Sequence, residues 1–208
     1  MKLFLPIVDN GMGLSRTSWA ISLAGACHTV LKEHDISFCG VSYPYPDGAM
    51  NVATEKFLRS DCDEMLLIDT DIIFSPKHVA QLLEHNEPLV FGIYPKKLPG
   101  LTFPMEWLGE ESPFLNNPNP LVEVKRTARG FMRAHRSVFE RMADSVPVVP
   151  MFVGTGTMRQ FWQTQPGGHS EDFNFCDRWR ALGGRILVDQ RITTQHEGTA
   201  VYPLPGTF

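Results

Sequence analysis

Met65-Leu66-Leu67-Ile68 is an apolar run with Asp61, Asp63 and Glu64 before it. It breaks into Asp69-Thr70-Asp71, resumes as Ile72-Ile73-Phe74 and ends at Ser75-Pro76. A short apolar run with such boundaries reads as a buried strand. Side chains alternate faces along a strand, so Asp69 and Asp71 are expected to project one way and Thr70 the other. Two carboxylates side by side at the carboxyl end of a buried strand repel each other and lose hydration. A divalent cation relieves both effects, and Mg²⁺ or Mn²⁺ is commonly held by one or two carboxylates together with substrate phosphates. Strand carboxyl ends are also where open α/β sheets bind ligands. The plain alternative is an exposed acidic pair in a turn.

Around this run, strands alternate with helices. Residues 3–8 read as a first strand, ended by the turn Asp9-Asn10-Gly11. Ser15 is placed to cap a helix that buries Trp19, Leu23, Ala26 or Cys27, Val30 and Leu31. Residues 36–41 suit a second strand, 43–48 a loop, and 50–60 a helix burying Val52, Phe57 and Leu58. After the Asp69 strand, Ser75 and Pro76 mark a helix start, with Val79, Leu82 and Leu83 inward. Residues 89–93 form the next strand. This order predicts an α/β fold with a mostly parallel central sheet flanked by helices, in one domain spanning 1–208.

Regularity lapses over 96–120, which is rich in Pro, Gly and Asn; so long a loop in a compact domain is commonly functional or mobile. Beyond it, 121–126 and 131–134 read as strands, and Ser137 with Glu140 as a capping box. A flexible stretch over 163–170 precedes a helix from about 171 to 182, stopped by Gly183-Gly184. Residues 186–188 and 192–196 are late strands.

Two further clusters carry chemistry. Gly167-Gly168-His169-Ser170 leads into Glu171-Asp172 at a helix start. Acids there complement the helix dipole, but a glycine-rich approach also lets a carboxylate meet a ligand closely and act as a general base. His196 lies in Gln195-His196-Glu197-Gly198 at the end of a strand, as a structural histidine or as a metal ligand.

Composition narrows the setting. The chain has 208 residues, 43% of them hydrophobic and 20% charged, enough for one domain with a full core. Its net charge of −4 argues against a generally basic nucleic-acid binder. Cys27, Cys39, Cys62 and Cys176 form no CxxC pair, which suits free thiols in a reducing compartment. The opening apolar stretch is interrupted by Pro6, too short for a signal peptide, and no run approaches the roughly 20 apolar residues of a membrane span. A cytoplasmic protein is expected, and the compact chain would suit a viral or bacterial enzyme acting on a soluble acceptor.

Taken in order, Asp69-Thr70-Asp71, Glu171-Asp172 and His196 resemble the nucleotide-sugar-dependent glycosyltransferases of the Rossmann-like GT-A fold, family 2-like and DxD-containing. Leu5-Pro6-Ile7-Val8-Asp9-Asn10 resembles the family's first strand, Met50-Asn51 its Arg-Asn segment and Tyr94-Pro95-Lys96-Lys97 its Tyr-Pro-Lys segment. Gly130-Phe131-Met132-Arg133 resembles the strand behind the sugar pocket.

The resemblance implies that Asp69 and Asp71 meet the ribose and the metal-bound diphosphate, with Mn²⁺ or Mg²⁺ held by Asp71, His196 and Asp69. It further implies that Pro6, Val8, Asn10, Asn51 and Thr70 belong to the donor pocket, that Lys96 approaches the diphosphate or sugar, and that Gly130 lets the sugar sit close to the backbone. Asp172, with Glu171 as understudy, becomes the base of an inverting hexosyl transfer from a nucleoside diphosphate sugar, UDP-linked by preference, to an acceptor hydroxyl. Met50 stands where the family often has Arg. Without the C-terminal extension many members use, acceptor choice falls to the loops 96–120 and 163–170 or to a partner. The acceptor classes are a glycan, a glycoprotein or, more remotely, a modified nucleic acid. Lys125, Arg126, Arg129, Arg133, His135 and Arg136 form a basic stretch that either faces such a polyanion or is a solvated edge.

Two other readings stand beside this one. Residues 65–73 also resemble the opening motif of haloacid-dehalogenase-type phosphatases, whose first Asp is a nucleophile. There the motif begins the chain and precedes Gly and Thr or Val; here it is internal and Ile72-Ile73 follows. A non-catalytic sugar-nucleotide or carbohydrate-binding GT-A domain would keep the pocket without turnover.

Overall fold

The computed structural model describes residues 1–9, 15–98, 100–109, 119–165, 168–198 and the backbone of 201–202. Seven strands form its central sheet: β1 (Lys2–Asp9), β2 (Asp35–Ser42), β3 (Glu64–Ile68), β4 (Leu89–Ile93), β5 (Leu121–Val124), β6 (Phe131–His135) and β7 (Ile186–Thr193). Their order across the sheet is β2-β1-β3-β6-β4-β7-β5. Strands β1, β2, β3, β4 and β7 run one way, while β5 and β6 run against them. The fold is therefore the expected α/β class, with a mixed, mostly parallel sheet.

Helices α1 (Thr17–Thr29), α2 (Pro46–Arg59), α3 (Pro76–Leu83), α4 (Arg136–Met142) and α5 (Glu171–Ala181) flank this sheet. The apolar run in β3 follows from burial on both faces. Met65 and Leu67 pack with Phe57 of α2, Phe139 of α4 and Phe175 and Trp179 of α5. Leu66 and Ile68 pack with Trp19 and Leu23 of α1 and Val79 and Leu82 of α3. Trp162 stacks on Phe175 at 4.0 Å in the first layer.

Several local starts differ from expectation. Helix α1 begins at Thr17 with Arg16 at its cap, so Ser15 lies outside it. Helix α2 begins at Pro46, inside the segment expected as a loop; proline's fixed φ and missing N–H suit a first helical position. Helix α4 is capped by His135, whose ring accepts from the Ser137 N–H, rather than by Ser137. Ser75 and Pro76 do open α3, and His78 completes a capping box there.

Most of the basic stretch is engaged within the fold, and Lys125 is its one exposed member. Arg126 bonds Asp177 at 2.7 and 2.8 Å and Glu106 at 2.7 Å, and Lys125 reaches Glu106 at 3.4 Å. Arg133, 3% exposed, donates to Glu64 at 3.0 Å. Arg136 donates to the carbonyls of Phe57, Leu58, Ser60 and Cys62. The cations hold the fold's own acids and helix-end carbonyls. Among the described residues, no helix is long and apolar enough to cross a membrane.

Candidate functional site

A cleft of about 540 Å³ opens at the carboxyl ends of β1 and β3. Val8, Pro46 and Ala49 form its apolar wall; Asp69, Thr70, Asp71, Arg129, Arg16 and Asp9 line it with polar groups. The two walls have different sources. Val8 and Asp9 close β1, and Pro46 and Ala49 belong to the first turn of α2, whereas Asp69, Thr70 and Asp71 lie just beyond β3.

Strand β3 ends at Ile68, so Asp69-Thr70-Asp71 is a turn and not a strand. The Ile72 N–H donates to the Asp69 carbonyl at 3.0 Å, and Ile72–Ile73 then joins a separate ribbon with Gln195–Glu197. Strand alternation therefore does not apply across these residues, and Thr70 lines the cleft beside both acids. The turn is pinned by backbone bonds from Asp69 N–H to Gly130 (2.9 Å), Arg16 N–H to Thr70 (3.3 Å) and Glu197 N–H to Asp71 (2.8 Å).

The ribbon brings His196 to Asp71, as expected. His196 Nε2 lies 3.5 Å from Asp71 Oδ2, and its Nδ1 lies 2.9 Å from the Pro95 carbonyl. A carbonyl only accepts, so Nδ1 carries the proton and Nε2 is turned to the carboxylate. Metal-bound histidines are oriented in this way. Lys97 Nζ sits on the same Asp71 oxygen at 2.5 Å. Burial would push the Asp71 carboxyl up, but Lys97 and the His196 ring in its charged form outweigh it and hold it down to about 2. Asp71 and His196 thus offer an oxygen and a nitrogen donor suited to a divalent cation, while Lys97 occupies the carboxylate.

Asp69 does not join that pair. Both its oxygens take Arg129 Nη1, at 2.7 and 3.0 Å. Arg129 also reaches Glu171 (3.7 Å) and Asp172 (3.3 Å) at the start of α5. Asp172 is pushed up to about 7, first by burial and then by Glu171 and Asp69, with Arg129 working against them. A carboxyl tuned near neutrality suits proton transfer. Glu171 and Asp172 stand behind Arg129, outside the residues that line the cleft.

Among the described residues, Glu84, His85 and Asp189 also bring ligand atoms within 4.8 Å of one another. Arg191 is inserted there, on Asp189 at 2.5 Å and on Glu84, and His85 bonds Asp189 at 2.7 Å. That cluster is a salt-bridge knot already supplied with its cation.

Four expected donor-pocket residues are placed differently. Asn51 is 1% exposed, and its amide is spent on the Trp162 backbone, donating at 2.8 Å and accepting at 2.9 Å. Pro6 is buried within β1, beside Cys39 of β2, and does not line the cleft. The Lys96 side chain is exposed, and its neighbour Lys97 is the lysine that reaches the acids. At Gly130 the space a Cβ would need belongs to Tyr94, with ring atoms 2.8 to 2.9 Å from that position, and not to a ligand. Asn10 lies outside the described residues.

Arg129 and Lys97 are the site residues that motif reading missed. Their roles arise from contacts across 60 and 26 residues of chain, which no local spacing reports. Gly130→Ala tests the Tyr94 contact. It should displace the ring, break its 3.1 Å bond from the Gly130 N–H and destabilise the fold by about 1–3 kcal/mol in urea unfolding. A variant as stable as the parent would show that Tyr94 can move aside.

No known family model matches the chain, and no curated protein matches it. Solved structures similar to it include A197 from STIV, 16% identical, with 95% of this chain and 86% of that one aligned at a TM-score of 0.56. S. aureus TarS 1-349 is 14% identical (TM-score 0.49); the alignment covers 90% of this chain and 58% of TarS 1-349. UDP-glucose pyrophosphorylase complexed with UDP-glucose is 12% identical over 91% of this chain and 89% of that one, with a TM-score of 0.47. The likeness to A197 is one of fold, and the two weaker ones add nothing to it.

Proposed function

We propose that the chain is a GT-A-type glycosyltransferase that moves a hexose from a nucleoside diphosphate sugar, UDP-linked by preference, to an acceptor hydroxyl. The observation that carries this reading is that two acids lining the cleft each connect to a residue behind it, Asp71 to His196 and Asp69, through Arg129, to Asp172.

The apolar wall of Val8, Pro46 and Ala49 suits the flat nucleoside, and the charged end suits the diphosphate. Asp71 and His196 would hold Mn²⁺ or Mg²⁺; when bound, such a cation acts as a Lewis acid toward the leaving diphosphate. Asp172 accepts the acceptor's hydroxyl proton as the acceptor oxygen bonds to the anomeric carbon. The bond from that carbon to the diphosphate oxygen breaks, and the electron pair leaves with the diphosphate. One displacement of this kind inverts the anomeric centre. The phosphatase alternative needs Asp69 free to attack, and both Asp69 oxygens are engaged by Arg129.

Calorimetry with UDP tests the reading. UDP is expected to bind in Mn²⁺ and to lose most of its affinity in EDTA. Equal affinity in both would remove the metal from the mechanism, and no binding in either would end the donor assignment.

A further inference from the structure

The cleft acid Asp69 and the candidate base come from distant parts of the chain. Asp69 follows β3, whereas Asp172 opens α5. A base works only if its place relative to the reacting carbon is fixed, and a misplacement of about 1 Å can cost roughly 10²-fold in rate.

Arg129 lies between them with its side chain 10% exposed. Its three nitrogens divide among three carboxylates: Nη1 faces Asp69 at 2.7 Å, Nη2 faces Glu171 at 3.7 Å, and Nε faces Asp172 at 3.3 Å. Its neighbour Gly130 accepts from the Asp69 N–H at 2.9 Å, so the guanidinium is tied to the turn through the backbone as well as through its own bonds. Arg129 Nε and Asp172 Oδ1 are buried without a hydrogen bond, although they face each other. Such orphaned buried groups call for an explanation. A contact left out of line at the candidate base, while the Asp69 end is fully bonded, is what a shared support that must leave the base able to act would show.

We propose that Arg129 is a positioning residue whose planar fork holds the Glu171-Asp172 pair in register with Asp69, and that this geometry, beyond its charge, is why arginine stands there. The inference rests on reading the cleft as a sugar-nucleotide site. A lysine would bring the same charge as a point on a flexible stem and could not address three carboxylates in one plane.

The test compares the parent protein with Arg129→Lys and Arg129→Ala. Calorimetry with UDP and Mn²⁺ reads the donor site, and release of UDP from UDP-glucose or UDP-galactose, with water as acceptor, reads turnover. Arg129→Lys should lower turnover at saturating donor by about 10²-fold, well beyond any loss of UDP affinity. Arg129→Ala should fall as far and recover about tenfold or more with guanidinium chloride, but not with ammonium chloride. Parent-like turnover in Arg129→Lys would overturn the proposal. Equal rescue by both salts, or a loss of UDP affinity matching the loss of turnover, would do the same. Should Arg129→Ala not fold, the split between affinity and turnover in Arg129→Lys decides alone. If the parent itself neither binds UDP nor releases it from either sugar nucleotide, the donor reading fails and this inference goes with it. Failure confined to the variants' pattern leaves the donor reading standing.

Discussion

Asp172→Asn is expected to lower sugar transfer by about 10²–10⁴-fold, the usual worth of a positioned base, and to make the protein more stable at pH 8. Both effects have one cause. Burial, reinforced by Glu171 and Asp69, raises the Asp172 carboxyl to about 7, whereas an unfolded Asp titrates near 3.9. Between those values the folded chain holds a proton that the unfolded chain has lost, so stability falls as pH rises from about 4 to about 7. Above that range the parent carries a buried carboxylate and the amide variant does not. Its thermal midpoint should therefore exceed the parent's by at least about 3 °C at pH 8 and match it near pH 4. Transfer by the parent should drop about tenfold per pH unit below about 7, because only the carboxylate can accept the proton. A more damaging Glu171→Gln would reverse the pair, and a product that keeps the donor's anomeric configuration would exclude single displacement.

The second large effect is expected at Asp71. Asp71→Asn should lower UDP affinity in Mn²⁺ by about 10²-fold or more, since loss of even an outer partner of a metal ligand typically costs 10–100-fold. Lys97→Met should act in the opposite direction on the ion itself. The lysine shares Asp71 Oδ2 with His196, so removing it frees that oxygen and should tighten Mn²⁺ binding measured by electron paramagnetic resonance. Thr70→Ala, which removes no charged donor, should change either quantity far less. Unaltered Mn²⁺ binding in Asp71→Asn would place the ion elsewhere.

The fold was legible where local physics decides it. An apolar run marks β3 because both its faces are buried, and Ser75-Pro76 marks the start of α3 through cap chemistry. The pairing of His196 with Asp71 was implied by the family resemblance alone, and the structure places the two 3.5 Å apart. Strand alternation failed over Asp69-Thr70-Asp71, since polar residues leaving a buried strand turn at once, and Ile72–Ile73 pairs with the ribbon of His196 instead of continuing the sheet. Pro46 suits a loop and a helix start equally well by sequence, and the structure uses it to open α2. Arg129, Arg126 and Arg133 looked like one basic face because their acids, Asp69, Asp177, Glu106 and Glu64, lie far along the chain. Asn51 and Gly130 read as ligand contacts from sequence, but Trp162 and Tyr94 occupy them.

A crystal structure with UDP and Mn²⁺ tests the central claim most directly. The account predicts the uracil against Val8, Pro46 and Ala49, the diphosphate at the Asp69-Thr70-Asp71 turn, and the ion on Asp71 and His196 with Lys97 displaced from the carboxylate. Nucleotide bound away from this cleft, or an ion that leaves Asp71 to Lys97, would contradict it.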